Sequence, residues 1–269
     1  MRDVRLIQYF KPVQPTLRLH DGASYRESIP DARLAPYIYC YWQLKSEYQL
    51  NSSFSYRVIP DGCIDIFFDT NNSDDMRVMG FSTSHTQFTL DTSFYYAGVR
   101  FLPGAFPLIF GVDASSLTDR DEVLSDVTPE AARHLTGCIA GQSSFDDIAA
   151  ALDVFFLKKL AGTRDVIDRR FYNAVAIILK EHGTLNLEAE IDTGLSPRQL
   201  RRLFEFYVGT SPKIFSKVVR FQYFFQLLGS SRGTTYNKLF LEAGYYDQPH
   251  FNRDFKTFFG LTPTEALRK

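Results

Sequence analysis

Two segments near the C-terminal end of the chain are built on one plan. The first reads Gly194-Leu195-Ser196-Pro197-Arg198-Gln199-Leu200-Arg201-Arg202-Leu203-Phe204 and closes at Gly209. The second reads Gly244-Tyr245-Tyr246-Asp247-Gln248-Pro249-His250-Phe251-Asn252-Arg253-Asp254-Phe255 and closes at Gly260. In each, a glycine turn leads to a capping residue and then to a short helix. Each exits through Gly-Thr-Ser-Pro or Gly-Leu-Thr-Pro. A Ser or Asp cap accepts from an otherwise unpaired helix N–H, and a proline in the first turn lacks an N–H that would have no partner there. The end of the chain therefore folds into two small helical units.

Helical geometry divides the faces of these segments. At about 100° per residue, Leu200, Leu203, Phe204 and Tyr207 share one side of Pro197–Val208. Arg198 and Arg202 lie opposite, with Arg201 on the flank. In the second helix Phe251, Phe255, Phe258 and Phe259 form the inner face, while Pro249, His250, Arg253, Lys256 and Thr257 point away. Gln248, in the first turn, is free to reach a base edge. A short helix anchored by its apolar side presents these groups outward, and arginine at successive turns suits guanine edges and phosphates in a major groove. A solvated amphipathic face is the plainer alternative. The paired turns, the repeated exits and the local charge favour double-stranded DNA.

That charge is hidden in the average. The chain of 269 residues has a net charge of -1. Residues 1–163 hold 14 Lys+Arg against 20 Asp+Glu, and residues 164–269 hold 16 against 11. A basic C-terminal third on an acidic remainder fits a DNA-binding module joined to something else. Three scattered cysteines, Cys40, Cys63 and Cys138, argue against a disulfide framework and a zinc knuckle. No apolar run reaches membrane-span length and the N-terminus lacks a signal-peptide pattern, so the expectation is a cytoplasmic protein without a membrane partner.

The chain reads as strands, then helices. Pro36–Lys45, two runs around Pro60-Asp61-Gly62 within Ser55–Thr70, Arg77–Phe81, Gln87–Leu90 and Tyr95–Phe101 carry strand patterns, with Asn71–Asp75 as a polar loop. Pro103-Gly104-Ala105 ends that pattern. Thr128-Pro129 reads as a cap and helix start, Phe145–Leu160 as a helix, and Ala161-Gly162-Thr163 as the boundary between parts. Val166–His182, Pro212–Leu228, Thr234–Ala243 and Asp247–Phe259 follow as helices, and Ser196-Pro197, Ser211-Pro212 and Thr262-Pro263 mark three helix starts. The expected class is α+β. An N-terminal β-barrel or cupin-like sandwich with following helices (1–163) precedes an all-α domain (164–269) with two helix-turn-helix units joined by a long helix.

From about Leu187 to Ala266 the chain resembles the DNA-binding domain of AraC/XylS-type bacterial transcription regulators. Besides the two segments above, Arg220-Phe221, Ala243-Gly244-Tyr245 and Gly260-Leu261-Thr262-Pro263 carry the resemblance. It implies two helix-turn-helix units joined by Pro212–Leu228, with each reading helix in a major groove. Arg198, Arg201 and Arg202 would then contact DNA in the first unit, and Gln248, Pro249, His250 and Arg253 in the second; Lys256, by its outward place on the same helix, is a further candidate DNA contact. Glu190 and Phe240 stand where the family has a small residue in each supporting helix. This predicts altered packing, above all in the first unit.

The resemblance also implies an N-terminal barrel that senses a small molecule, followed by helices that can form a homodimer, and RNA polymerase as a partner if the chain is an activator. The segments Val58–Phe68 and Gly98–Ala105 look like one sensor-type subgroup of that family. Use of the N-terminal part only for dimerisation or protein–protein control is the alternative. Tyr39, Tyr41, Tyr95 and Trp42 are candidates to line an apolar pocket, with Tyr39 and Tyr41 on one strand face and Trp42 on the other. Arg57 and Arg100 are candidates to pair inward with Asp65 or to hold an anionic ligand. His20, His85 and His134 are isolated, and Cys63 beside Asp61 and Asp65 has no histidine close in sequence. Neither a metal, nor a cofactor, nor an enzyme activity is therefore expected.

Overall fold

The computed structural model describes residues 6–15, 22–162, 168–185, 191–230 and 236–267. Eight strands open the fold: β1 (Ala23–Ser28), β2 (Ile38–Ser46), β3 (Phe54–Val58), β4 (Ile64–Asp69), β5 (Asn72–Met79), β6 (Thr86–Leu90), β7 (Tyr95–Phe101) and β8 (Asp121–Val123). Six form an antiparallel sheet in the order β1-β2-β7-β4-β5-β8, and β3 pairs with β6 as a separate ribbon. The α+β reading holds, in its sandwich form.

Alternation assigns the two faces of the sheet. Ile64, Ile66 and Phe68 of β4, with Ala97, Val99 and Phe101 of β7, enter the main core. Asp65, Phe67 and Asp69, with Tyr96 and Arg100, face the ribbon side instead. The main core is covered by helices α1 (Ala105–Phe110), α2 (Leu124–Val127), α3 (Pro129–Ile139) and α4 (Phe145–Ala161). Phe101 packs edge-on against Phe106, Phe110 and Phe156, which fastens β7 to α1 and α4.

Two readings of the first part are corrected. Asn72–Asp75 is not a loop but the start of β5: Thr70 and Asn71 turn the chain, and Asn72 pairs with Asp69. These residues are polar because they are largely exposed near the end of the hairpin. The two runs around Pro60-Asp61-Gly62 are strands as read, β3 and β4, and the turn between them carries the chain from the ribbon to the sheet. Thr128 precedes a helix that starts at Pro129, yet its side chain makes no capping hydrogen bond.

The second part contains α5 (Arg169–Lys180), α6 (Pro197–Val208), α7 (Pro212–Ser230), α8 (Tyr236–Glu242), α9 (Gln248–Phe259) and α10 (Pro263–Leu267). All three Ser/Thr-Pro pairs mark helix starts: Ser211 Oγ accepts from the Ile214 N–H, and Thr262 Oγ1 from that of Glu265. The helix α7 is the spine. Its Phe221, Phe224 and Phe225 interlock with Phe251, Phe255, Phe258 and Phe259 of α9. Phe240 fits this core by stacking on Phe251 at 5.4 Å and 16°. It is buried rather than disruptive. Glu190 lies outside the described residues, as do positions 163–167 near the expected boundary.

The core is continuous between the two parts, and buried residues of both belong to one cluster. Phe215 of α7 lies over the turn at Gly62. At the end of α6, Gly209 has φ 95°, and a Cβ there would come within 2.7 Å of Thr118 Oγ1 and 2.9 Å of the Ala114 carbonyl. Only glycine permits both that backbone and that approach.

Candidate nucleic-acid interface and effector cavity

Both reading helices begin with the caps expected of them. Ser196 Oγ accepts from the Gln199 N–H, and Gln199 Oε1 accepts from the Ser196 N–H at 3.0 Å, which completes a capping box. Asp247 Oδ1 accepts from the His250 N–H at 2.7 Å. The apolar sides are buried at Leu200, Phe204, Phe251, Phe255, Phe258 and Phe259. Arg198, Arg201, Arg202, Gln248, Pro249, Arg253 and Lys256 are exposed.

Their engagements differ. Arg201 donates to Glu205 at 2.8 Å along the helix. Arg198, Arg202, Arg253 and Lys256 form no ion pair among the described residues, so their charge is available to a partner. His250 departs from the outward set: it is half-buried, 3.5 Å from the Asp254 carboxylate and edge-on to Tyr245.

Asp254 was missed by sequence reasoning. Its side chain is 5% exposed and accepts from Lys217 Nζ of α7 at 3.0 Å. The available signal was its place beside the Phe251–Phe255 stripe, four residues after His250. Arg220 makes a second tie, donating to the Gly183 carbonyl at 2.6 Å with its guanidinium 5.6 Å from the Tyr245 ring centre. Together these contacts set the second reading helix on the spine.

The sheet domain holds a partly open cavity of about 300 Å³ between the six-stranded sheet and the ribbon. Aromatic rings from Tyr25, Trp42, Tyr56, Phe67, Phe88 and Tyr96 line it. Trp42 stacks at 6.5 Å on Tyr25 on one side and on Phe67 on the other. Gly98 pairs across strands with both Trp42 and Phe67, and a Cβ there would lie 2.5 Å from the indole. Its missing side chain makes the room that the indole occupies.

Two arginines sit in the walls, each held by carboxylates. Arg100 donates to Asp65 at 2.9 Å and lies 3.6 Å from Asp61. Arg77 donates to Asp121 at 2.8 Å and lies 3.8 Å from Asp75. Burial pushes the Asp65 carboxyl up to about 6, against the opposing pull of Arg100 and the Trp42 indole N–H, which donates to it at 3.1 Å. At neutral pH the Asp65–Arg100 pair is therefore mostly ionised.

Of the candidate cavity residues, Trp42 and Arg100 line this space and Arg100 pairs with Asp65 as expected. The other four do not. Tyr41 faces the helices, fully buried, and donates to Asp153 of α4 at 2.9 Å. Tyr39 packs edge-on against Phe10. Phe10 belongs to the main core that also holds Tyr41, so this contact lies on the face that alternation gives both tyrosines, away from the cavity. Arg57 lies toward Gln87 and over the Phe259 ring of α9, at the contact between the two parts. Tyr96, rather than its neighbour Tyr95, faces the cavity. Burial raises the Cys63 thiol well above its ordinary range, as it does that of Cys40, which suits packed core thiols and not nucleophiles. Among the described residues no cluster of three or more His, Cys, Asp or Glu is arranged to hold a metal ion, and no helix is long and apolar enough to cross a membrane.

Comparison with known proteins places two domains on this chain. Residues 192–269 match a family described as a helix-turn-helix domain. Residues 26–122 match a domain of unknown function, DUF6597. No curated protein matches the sequence. Among solved structures, an apo form of a ToxT variant from Vibrio cholerae matches with a TM-score of 0.42 and 15% identity, covering 84% of this chain and 96% of that one.

Proposed function

From a C-terminus that is an AraC-type helix-turn-helix domain, we propose a sequence-specific transcription regulator whose N-terminal domain senses a small molecule. The DNA-binding part spans residues 164–269 and the sensing part residues 1–163. In the first unit, Arg198 and Arg202 read DNA, with Arg201 exchanging Glu205 for phosphate. In the second, Gln248 and Arg253 reach base edges, Pro249 lies against them, and Lys256 contacts the backbone. His250 contributes by positioning through Asp254. The observation that carries this reading is the set of exposed, unpaired arginines on two capped helices that share one spine.

The test is a gel-shift titration of the full chain on an operator recovered by selection from random DNA. Arg202→Ala and Arg253→Ala are each expected to weaken specific binding by about 1–3 kcal/mol while the fold survives. Unchanged affinity in both variants rejects these roles.

Support for small-molecule control comes from the lined cavity in the sheet domain, where charged side chains stand among aromatic walls. A ligand acts only through unequal affinity for two arrangements of the chain. The buried turn Ile59–Gly62, which touches both Arg100 and α7, is the natural element to differ between them.

A further inference from the structure

Building on the sensor reading above, we propose that the cavity takes a small organic cation, an amine or quaternary ammonium carried on an apolar body. The observations concern charge, surface and unfilled hydrogen-bonding capacity.

Charge comes first. Each wall arginine lies between two carboxylates, Arg100 between Asp61 and Asp65 and Arg77 between Asp75 and Asp121. Arg100 is buried against Asp61 and Asp65, and Arg77, 31% exposed, already bonds Asp121, so an anion would have to share each guanidinium with carboxylates that repel it. Each group of three carries one excess negative charge, and Asp69 adds another to the lining. A cation gains from that excess without breaking an existing pair.

The surface agrees. The Tyr25, Trp42 and Phe67 rings lie nearly parallel, 29° apart in each step, and Phe88 of the ribbon meets Phe67 edge-on at 6.3 Å. Aromatic faces attract ammonium groups, more strongly where water is scarce. The Tyr56 and Tyr96 hydroxyls line the cavity and have no hydrogen-bond partner among the described residues. Each can accept from an ammonium N–H. The volume of about 300 Å³ is at the lower end for small-molecule sites, which suits a compact amine.

Trp42 is the lone tryptophan of the chain, so its emission reports directly on this cavity. The test titrates the full-length protein with phenethylammonium, phenylacetate and 2-phenylethanol, which share a body and differ in charge. The expected result is a saturable change in Trp42 emission and a raised melting temperature with phenethylammonium at millimolar concentration, and neither with phenylacetate. Asp65→Asn is expected to weaken that binding tenfold or more. Phe88→Leu, which leaves every ion pair intact, is expected to weaken the cation several-fold more than the neutral alcohol. A response to phenylacetate or the alcohol without one to phenethylammonium overturns the cation and leaves the sensor standing. No response to any of the three overturns both.

Discussion

Gln222, on the spine between the two reading units, donates its side-chain amide to the Pro60 carbonyl at 2.7 Å. Its Oε1 accepts from the Val13 N–H, also at 2.7 Å. The side chain is 4% exposed, so these bonds replace water entirely. Beside Pro60, Asp61 accepts from Gln14 at 3.0 Å and faces Arg100 in the cavity wall at 3.6 Å. A continuous set of buried polar contacts thus runs from the cavity to the helix that carries both reading units. Contiguity alone is not coupling. It does name the residues whose removal must change coupling if a ligand controls the DNA-binding part.

Gln222→Leu is therefore expected to strand the Val13 N–H and the Pro60 carbonyl. Leaving buried groups unpaired costs about 1–3 kcal/mol each way the partner is lost. The midpoint of urea denaturation should fall accordingly. In the same variant, any effect of a cavity ligand on operator affinity should shrink, whereas Trp42 emission should still respond to that ligand. An unchanged ligand effect on DNA binding removes this contact from the control path.

Gly98→Ala tests the cavity floor. The new methyl would meet the Trp42 indole at 2.5 Å and the Ile66 carbonyl at 2.7 Å, so the ring must move. Overpacking of this kind costs about 1–3 kcal/mol. A shifted Trp42 emission maximum and a lower melting temperature are expected. An unperturbed spectrum contradicts the placement of the indole over Gly98.

The helical part of this molecule was more legible in the sequence than the sheet part, for physical reasons. Caps are local: Ser196, Ser211, Asp247 and Thr262 each bond within a few residues of themselves, so their helices could be placed from nearby residues alone. Strand faces depend on partners far along the chain. The alternation that put Trp42 opposite Tyr41 was sound, but which of the two faces lines the cavity depends on where the ribbon packs, and nothing local signals it. Arg100–Asp65 was foreseeable because both residues sit in strand patterns of opposite charge. The rest of the cavity wall was not, since Tyr56 and Phe88 belong to a ribbon whose pairing skips over β4 and β5. Asp254 escaped notice because a carboxylate inside an aromatic stripe has meaning only once Lys217 is seen beside it.

That pair gives a prediction for the second unit. Asp254→Ala removes the buried partner of Lys217 and the carboxylate beside His250. Lys217 is 34% exposed and can turn to water, so the expected cost is moderate, about 1–3 kcal/mol. Operator affinity should fall as well, because α9 loses its ion pair to the spine while the aromatic packing and every exposed reading residue are kept. Full affinity with reduced stability would restrict Asp254 to a role in folding.

The last prediction concerns pH. His182 follows α5 with φ 53° and stacks on Tyr223 of α7 at 3.7 Å and 4°. Burial lowers its pKa below the ordinary 6.5, against a weaker upward pull from Glu181. The folded chain therefore binds this proton less readily than the unfolded chain. The stability that depends on neutral His182 is complete above about pH 6.5 and is lost as pH falls from there through the lowered folded value. Asn tolerates a positive φ and does not titrate in this range, so His182→Asn removes the dependence without forcing the backbone. Between about pH 7.5 and about pH 5.5 the melting temperature of the parent should fall further than that of the variant, whatever their absolute difference. The remaining histidines are common to both proteins and cancel in the comparison. Parallel curves would mean that protonation of His182 is indifferent to folding, and that the stack on Tyr223 accepts the charged ring.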